Sequence, residues 1–265
     1  MRLTKHHGLG NDFLITFAST VPVDAPALAR RVCDRHRGVG ADGLIVLTPS
    51  SRVGVDAVMA LFNADGSVAE ISGNGIRCVA QAIVAERGGT EADLVVDTLA
   101  GDRRLAVWPG PSPHEVIVRV DMGVVRDGPA LVREPVAPTV VPRRAATFDI
   151  GNPHLVVLVD DPAAVDLERA GPFLERDYAG GINVHFVAPV ADDALTLRVW
   201  ERGAGITEAC GSGAVVAAHA AHQWGVAGDH VTVHMPGGAA EVVVGQRLTL
   251  IGPSVLIATV EVPDA

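Results

Sequence analysis

The sequence predicts an α+β protein made of two similar halves, and three observations predict it. Short runs rich in Val, Ile and Leu, bounded by Gly, Pro and Asp, recur along the chain, which is strand patterning. Alanine-rich apolar stretches follow two glycine clusters, Gly73 to Gly75 and Gly211 to Gly213, and their length and composition are helical. Landmarks recur at an offset of about 138 to 141 residues, a period too long for a solenoid but suited to a duplicated domain.

In chain order, Asp24 is placed to cap a first helix in which Ala25, Leu28, Ala29, Val32 and Cys33 fall at helical spacing. The second helix covers Ile76 to Val84. Pro109 to Pro113 reads as a hairpin tip, and Val116 to Val120 as the strand beyond it. The first repeat ends near Arg119 to Met122, and a Pro- and Arg-rich segment from Asp127 to Arg144 reads as a long surface loop. Strands follow at Leu155 to Val159 and Leu195 to Trp200, a third helix at Ala214 to Trp224, and strands at Val231 to His234 and Val255 to Val260. The expected domains are 1–120, completed by a last strand over 254–265, and 121–253.

Four matched landmarks in the same order carry the duplication. Gly10-Asn11-Asp12-Phe13 matches Gly151-Asn152-Pro153-His154, and Gly40 to Leu47 matches Gly180 to Val187. Asn63 matches Glu201, and nine residues later Ser72-Gly73-Asn74-Gly75 matches Cys210-Gly211-Ser212-Gly213. A site between the halves is the expectation.

Composition narrows the partners. With a net charge of -10 the chain repels phosphate backbones and anionic lipid surfaces, which excludes nucleic acid and membrane binding as first readings and leaves a small molecule. No signal-peptide core and no run of membrane-spanning length is present, so a cytoplasmic protein is expected. Cys33, Cys78 and Cys210 are odd in number, widely spaced and without a CxxC pair, which argues against a disulfide framework or a zinc site.

In each half a small nucleophilic residue precedes a Gly-x-Gly turn and then a helix, so backbone N–H groups and the positive helix end converge on one spot. A carboxylate suits such a cradle as well as a phosphate does. A thiol held there is expected to have its pKa lowered toward neutrality, and Cys210 is so placed. Two cradles facing one ligand would let the residues at 72 and 210 remove an α-proton from one side and return it on the other, with N–H groups stabilising the carbanion.

The segments KHHGLGNDF, RGVGADG, NADGSVAEISGNGIRC, DIGNPH, GINVHF and ERGAGITEACGSG resemble diaminopimelate epimerase motifs, in that family's order and spacing, over almost the whole chain. The resemblance implies two similar domains, each with strands wrapped around a central helix. It implies interconversion of LL- and meso-diaminopimelate for lysine and peptidoglycan synthesis, a homodimer, and no metal or organic cofactor. It places the catalytic pair on Cys210 and Ser72 and the carboxylate cradle on Gly73, Asn74, Gly211 and Ser212. Asn11, Asn63, Asn152, Asn183 and Arg202 fall on substrate-contacting positions, Glu201 on the residue that holds the distal ammonium group and helps set the local pKa, and His154 on a histidine that tunes a catalytic thiol. Cys78 and Cys33 read as buried thiols.

Three departures stand out. The family carries cysteine where this chain has Ser72, and a hydroxyl is a far weaker base than a thiol. The serine is engineered, or natural in a working epimerase, or the mark of a diverged activity, and no disulfide can join positions 72 and 210. Gly43 stands where some relatives carry Gln, and Ile206 where Glu is commoner. Beside the epimerase reading stand another racemase of the fold, a one-base lyase using Cys210 alone, and a binding protein without turnover.

Overall fold

The computed structural model describes residues 1–263. Residues 264 and 265, at the end of the expected last strand, lie outside the described residues. The chain forms two compact units, Met1–Asp121 with Ile251–Ala265, and Met122–Leu250.

The first unit runs β1 (Arg2–Gly8), β2 (Asn11–Phe17), α1 (Ala25–Cys33), β3 (Gly43–Thr48), β4 (Ala57–Asn63), β5 (Val68–Ala69), α2 (Gly73–Glu86), β6 (Ala92–Asp97), β7 (Arg103–Pro109) and β8 (Glu115–Gly123). After β9 (Arg126–Asp127) the same order returns in the second. It reads β10 (Arg144–Asp149), β11 (Pro153–Leu158), α3 (Leu167–Glu175), β12 (Asn183–Ala191), β13 (Ala194–Glu201), β14 (Gly205–Ile206), α4 (Gly211–Gln223), β15 (His230–Met235), β16 (Gly238–Val243) and β17 (Leu248–Glu261).

The ladders repeat as well as the order. β1 and β2 pair antiparallel as β10 and β11 do, β2 and β3 parallel as β11 and β12 do, and β4 and β6 parallel as β13 and β15 do. In the first unit the last stretch of β17 pairs with β1 and with β8, closing β1, β2, β3, β4, β6, β7, β8 and β17 into an eight-stranded barrel without a free edge. The α+β fold of two like units, each a barrel-like sheet around a central helix, is therefore present.

Burial explains the patterning. Residues 73–84 of α2 are all buried, and Ile76, Val79 and Ile83 each contribute about 1.5–3 kcal/mol by leaving water. The parallel strands β2 and β3 are buried on both faces, because α1 covers one side and α2 fills the other. β11 and β12 are likewise sandwiched between α3 and α4. β17 faces one covered side only and alternates buried and partly exposed residues.

Two expectations change. Asp24 makes no side-chain cap bond to α1; its carbonyl takes the Ala27 and Leu28 N–H groups instead, and Pro26 fills the first turn, where a missing N–H costs nothing. A fourth helix, α3, was not expected from periodicity. It begins at Asp166, whose carboxylate accepts the Arg169 N–H, and tolerates Pro172 within its nine residues.

Candidate active site

Each unit builds one half-site at the start of its central helix. In the first, Ser72 holds extended backbone at φ -131°, and its Oγ accepts the Gly75 N–H at 3.0 Å. A serine at an N-cap position is well suited to this bond. Asn74 donates to Asn11 Oδ1 at 3.1 Å, and Asn11 donates in turn to Asp42 at 2.7 Å, so the Gly-Asn motif that opens β2 is tied to the helix start. Asp12 and Asp42 are held by Arg35, and Asp12 also by Lys5. Asn63 sits at the end of β4, where its amide donates to Ser67 Oγ at 3.0 Å.

Behind this cradle lies Arg77, fully buried one helical turn beyond Gly73. Its donors go to the Gly73 and Pro253 carbonyls and to Asn74 Oδ1, all uncharged, and burial pulls its pKa down to about 10. A guanidinium in this place adds positive potential to a helix end that already favours anions. Sequence reading passed over Arg77, although the motif that contains Ser72 includes it.

The second half-site has the same frame and different chemistry. Cys210 caps α4 at φ -130°, with Sγ accepting the Gly213 N–H at 3.3 Å and lying 3.6 Å from Ser212 Oγ. Its thiol is also hydrogen-bonded to the Glu201 carboxylate, which accepts from the Thr207 hydroxyl as well. Burial, reinforced by the Glu201 charge, pushes the Cys210 thiol well above its ordinary value; the Ser212 hydroxyl and the Gly213 N–H oppose this and are outweighed. The expectation of a thiol lowered toward neutrality is thus reversed, because the helix end acts in a desolvated setting beside an anion.

The remaining residues of the second half-site form a connected set. Asn183 accepts the Arg202 backbone N–H at 3.0 Å and donates to the Pro153 carbonyl at 3.0 Å. His154, opposite Asn183 in the parallel ladder, lies 2.8 Å from Asn152 Oδ1 through Nε2 and 2.7 Å from His185 through Nδ1. Burial, then the neighbouring His185 and Arg202, hold His154 well below the usual imidazole pKa, so it is a neutral ring. His185, unremarked in the sequence, is held at about 3 by burial. A Cβ built on Gly213 would fall 2.3 Å from the His185 ring and 3.1 Å from Cys210 Sγ, so the Gly-x-Gly turn serves close packing as well as ligand access.

The two further departures have structural readings. A Cβ at Gly43 would lie 2.8 Å from the Phe62 carbonyl oxygen, so a larger residue there requires the ladder to shift. Ile206 pairs with Trp200 in β14 and is 45% exposed, which leaves room for a polar side chain. Cys33 and Cys78 are buried, with thiols pushed up to about 12 and about 11 by desolvation, and are inert. Among the described residues no cluster of three or more His, Cys, Asp or Glu is arranged to hold a metal ion, and no helix is long and apolar enough to cross a membrane.

The family model described as diaminopimelate epimerase matches residues 3–126 and 146–254. A diaminopimelate epimerase of Pelotomaculum thermopropionicum is 43% identical over 256 residues, covering 90% of this chain and 89% of its own. One from Moorella thermoacetica is 40% identical over 275 residues, covering 96% of each. Among solved structures, a predicted epimerase from Pseudomonas aeruginosa superposes with a TM-score of 0.78 at 17% identity, over 100% of this chain and 99% of that one. A hydroxyproline epimerase from Agrobacterium vitis gives 0.75 at 18% identity, over 98% and 91%. At these identities the structures speak for the fold alone.

Proposed function

The chain belongs to the diaminopimelate epimerase family, and from that premise we propose that it interconverts LL- and meso-diaminopimelate by exchanging one proton at one α-carbon. It is an isomerase. The observation within the fold that carries the reading is the environment of Cys210: a thiol at a helix start with the Glu201 carboxylate in hydrogen-bond reach as its proton acceptor.

The chemistry follows from the groups at hand. An α-proton next to a carboxylate is barely acidic, so charge developing on that carboxylate must be met by fixed donors. The backbone N–H groups of Gly73, Asn74, Gly211 and Ser212 are assigned to it, with the Arg77 charge behind them. In one direction Cys210 passes its proton to Glu201 and, as thiolate, takes the α-proton, while the Ser72 hydroxyl gives its proton to the opposite face. The resulting alkoxide recovers a proton from solvent and Glu201 releases to solvent the one it took from Cys210, which restores the starting state. In the other direction Ser72 must ionise first, which makes the serine the costlier partner. Arg202 is assigned to the distal carboxylate, with Asn11, Asn63, Asn152 and Asn183 fixing the surrounding loops and presenting amides to the substrate.

No metal or organic cofactor is needed for this cycle, and activity that survives a chelator and the absence of pyridoxal phosphate is the expected result. We place the enzyme in the cytoplasm, where three unpaired thiols are stable, and expect a homodimer by light scattering. The substrate assignment is tested by incubating the chain with LL-diaminopimelate and, separately, with L-proline. Meso product from the first and none from the second supports it; turnover of proline alone overturns it. Loss of the α-hydrogen without meso product would point instead to a one-base reaction at Cys210.

A further inference from the structure

The second unit contains a buried imidazole pair that the cycle above does not explain. His154 and His185 stack with ring centroids 5.0 Å apart, and His154 Nδ1 lies 2.7 Å from His185 Nε2. On its other side His154 Nε2 faces Asn152 Oδ1 at 2.8 Å. An amide oxygen only accepts, so with the amide in this orientation His154 carries its proton on Nε2, its Nδ1 accepts, and His185 donates from Nε2. His185 Nδ1 is then a bare acceptor, buried and without a hydrogen-bond partner. It lies against the start of α4, 2.7 Å from where a Gly213 Cβ would stand.

The duplication provides an internal control. By the repeat, Phe13 occupies the place of His154, and Ile45 that of His185. A Cβ built on Gly75 would meet Ile45 Cδ1 at 3.3 Å and Ser72 Cβ at 3.1 Å, the same neighbourhood as Gly213, His185 and Cys210. The layer beside Ser72 is apolar, and the layer beside Cys210 is a string of imidazoles. Burying polar rings costs free energy, and the layer beside Cys210 carries that cost where the matching layer beside Ser72 does not.

Resting on the epimerase reading, we propose that His185 is a positioning residue for the Cys210 half-site: by donating from Nε2 it locks His154 as the Nε2–H tautomer, so that His154 presents a donor toward Asn152. Packed against the two strands that carry the pair are β10, β13, α3 and α4; they bring Glu201 at the end of β13, Arg202 just beyond it and Cys210 at the start of α4, while Arg198 of β13 stands opposite Phe186 and His219 of α4 lies edge-on to Phe148, the β10 partner of His154. Neither ring is charged, and no proton leaves the pair in this role.

The test is the pair His185→Gln and His185→Glu, equal in size and opposite in hydrogen-bonding character. Side-chain 15N spectra of the ligand-free wild type are expected to show both rings protonated on Nε2, and His185→Gln, which can donate, to leave His154 unchanged. Once ionised, the carboxylate of His185→Glu can only accept; above its titration it is expected to turn His154 to the Nδ1–H form, raise its titration by on the order of one to three pH units, and add a limb to the kcat/KM profile. A purely structural role would leave Gln and Glu alike. Should the Glu variant not fold, His185→Ile removes the donor alone, and mixed His154 tautomers are expected. A wild-type His154 protonated on Nδ1, or a His154 tautomer that stays fixed in every folded variant, overturns the proposal. Absence of wild-type turnover would count against the epimerase reading, while the spectra would still decide the tautomer.

Discussion

Replacing Gly213 with Ala tests how tightly the thiol half-site is packed. Gly213 is helical and its φ lies outside the left-handed region, so the backbone accepts alanine, and helix propensity alone would favour the change by about 0.8–1 kcal/mol. The new methyl, however, would stand 2.3 Å from His185 Cε1, 2.7 Å from its Nδ1 and 3.1 Å from Cys210 Sγ. His185 cannot retreat without straining its bond to His154. Overpacking costs about 1–3 kcal/mol and a broken buried hydrogen bond about 1–3 more, so a net loss centred near 3 kcal/mol is expected. Gly75→Ala is the control, since its nearest contacts are 3.1 Å to Ser72 Cβ and 3.3 Å to a flexible Ile45 methyl. A change within about 1 kcal/mol of wild type is expected there, because propensity and mild crowding offset. Urea unfolding of the three proteins reads both numbers. A Gly213→Ala protein as stable as wild type, or no worse than Gly75→Ala, would refute the packing argument.

Other perturbations reach the chemistry. A positioned acid or base contributes about 10²- to 10⁴-fold, so Ser72→Cys is expected to raise kcat toward that range in both directions, and an unchanged rate would mean that the serine does not limit turnover. Glu201→Gln removes the anion beside Cys210, so the thiol pKa should fall and iodoacetamide should alkylate Cys210 faster near pH 8 while epimerisation slows; slower alkylation would contradict the assigned contact. Burial holds His185 at about 3 against an ordinary 6.5, so the unfolded chain binds the extra proton between those values. The associated stability is complete above pH 6.5 and is lost as pH falls toward 3, about 2 kcal/mol of it between pH 6 and 4.5. His185→Gln should flatten that part of the stability profile, and an equally steep profile would contradict the assignment.

The sequence made the repeat legible because its landmarks are glycines, asparagines and capping residues whose roles are local. Gly73 to Gly75 and Gly211 to Gly213 announce helix starts whatever surrounds them, and Ser72 and Cys210 do cap those helices. α3 was hidden by Pro172 and a short apolar stripe, although α1 shifted by the repeat offset falls on it. The direction of the Cys210 shift was not legible, because it depends on burial and on Glu201, which lies nine residues earlier and reaches the thiol only through the fold. His185 and Arg77 were passed over for the same reason. A His within an apolar strand and an Arg within an apolar helix gain meaning only when the layer beneath Cys210 and the three uncharged acceptors around the guanidinium are seen.

The most direct measurement is the fate of LL-diaminopimelate in D₂O with this chain and with Ser72→Cys, reading α-deuterium and meso product together. Meso product labelled at one α-carbon from both proteins, slower from the serine form, is the predicted result. Unlabelled substrate and no meso product from either protein would contradict the account.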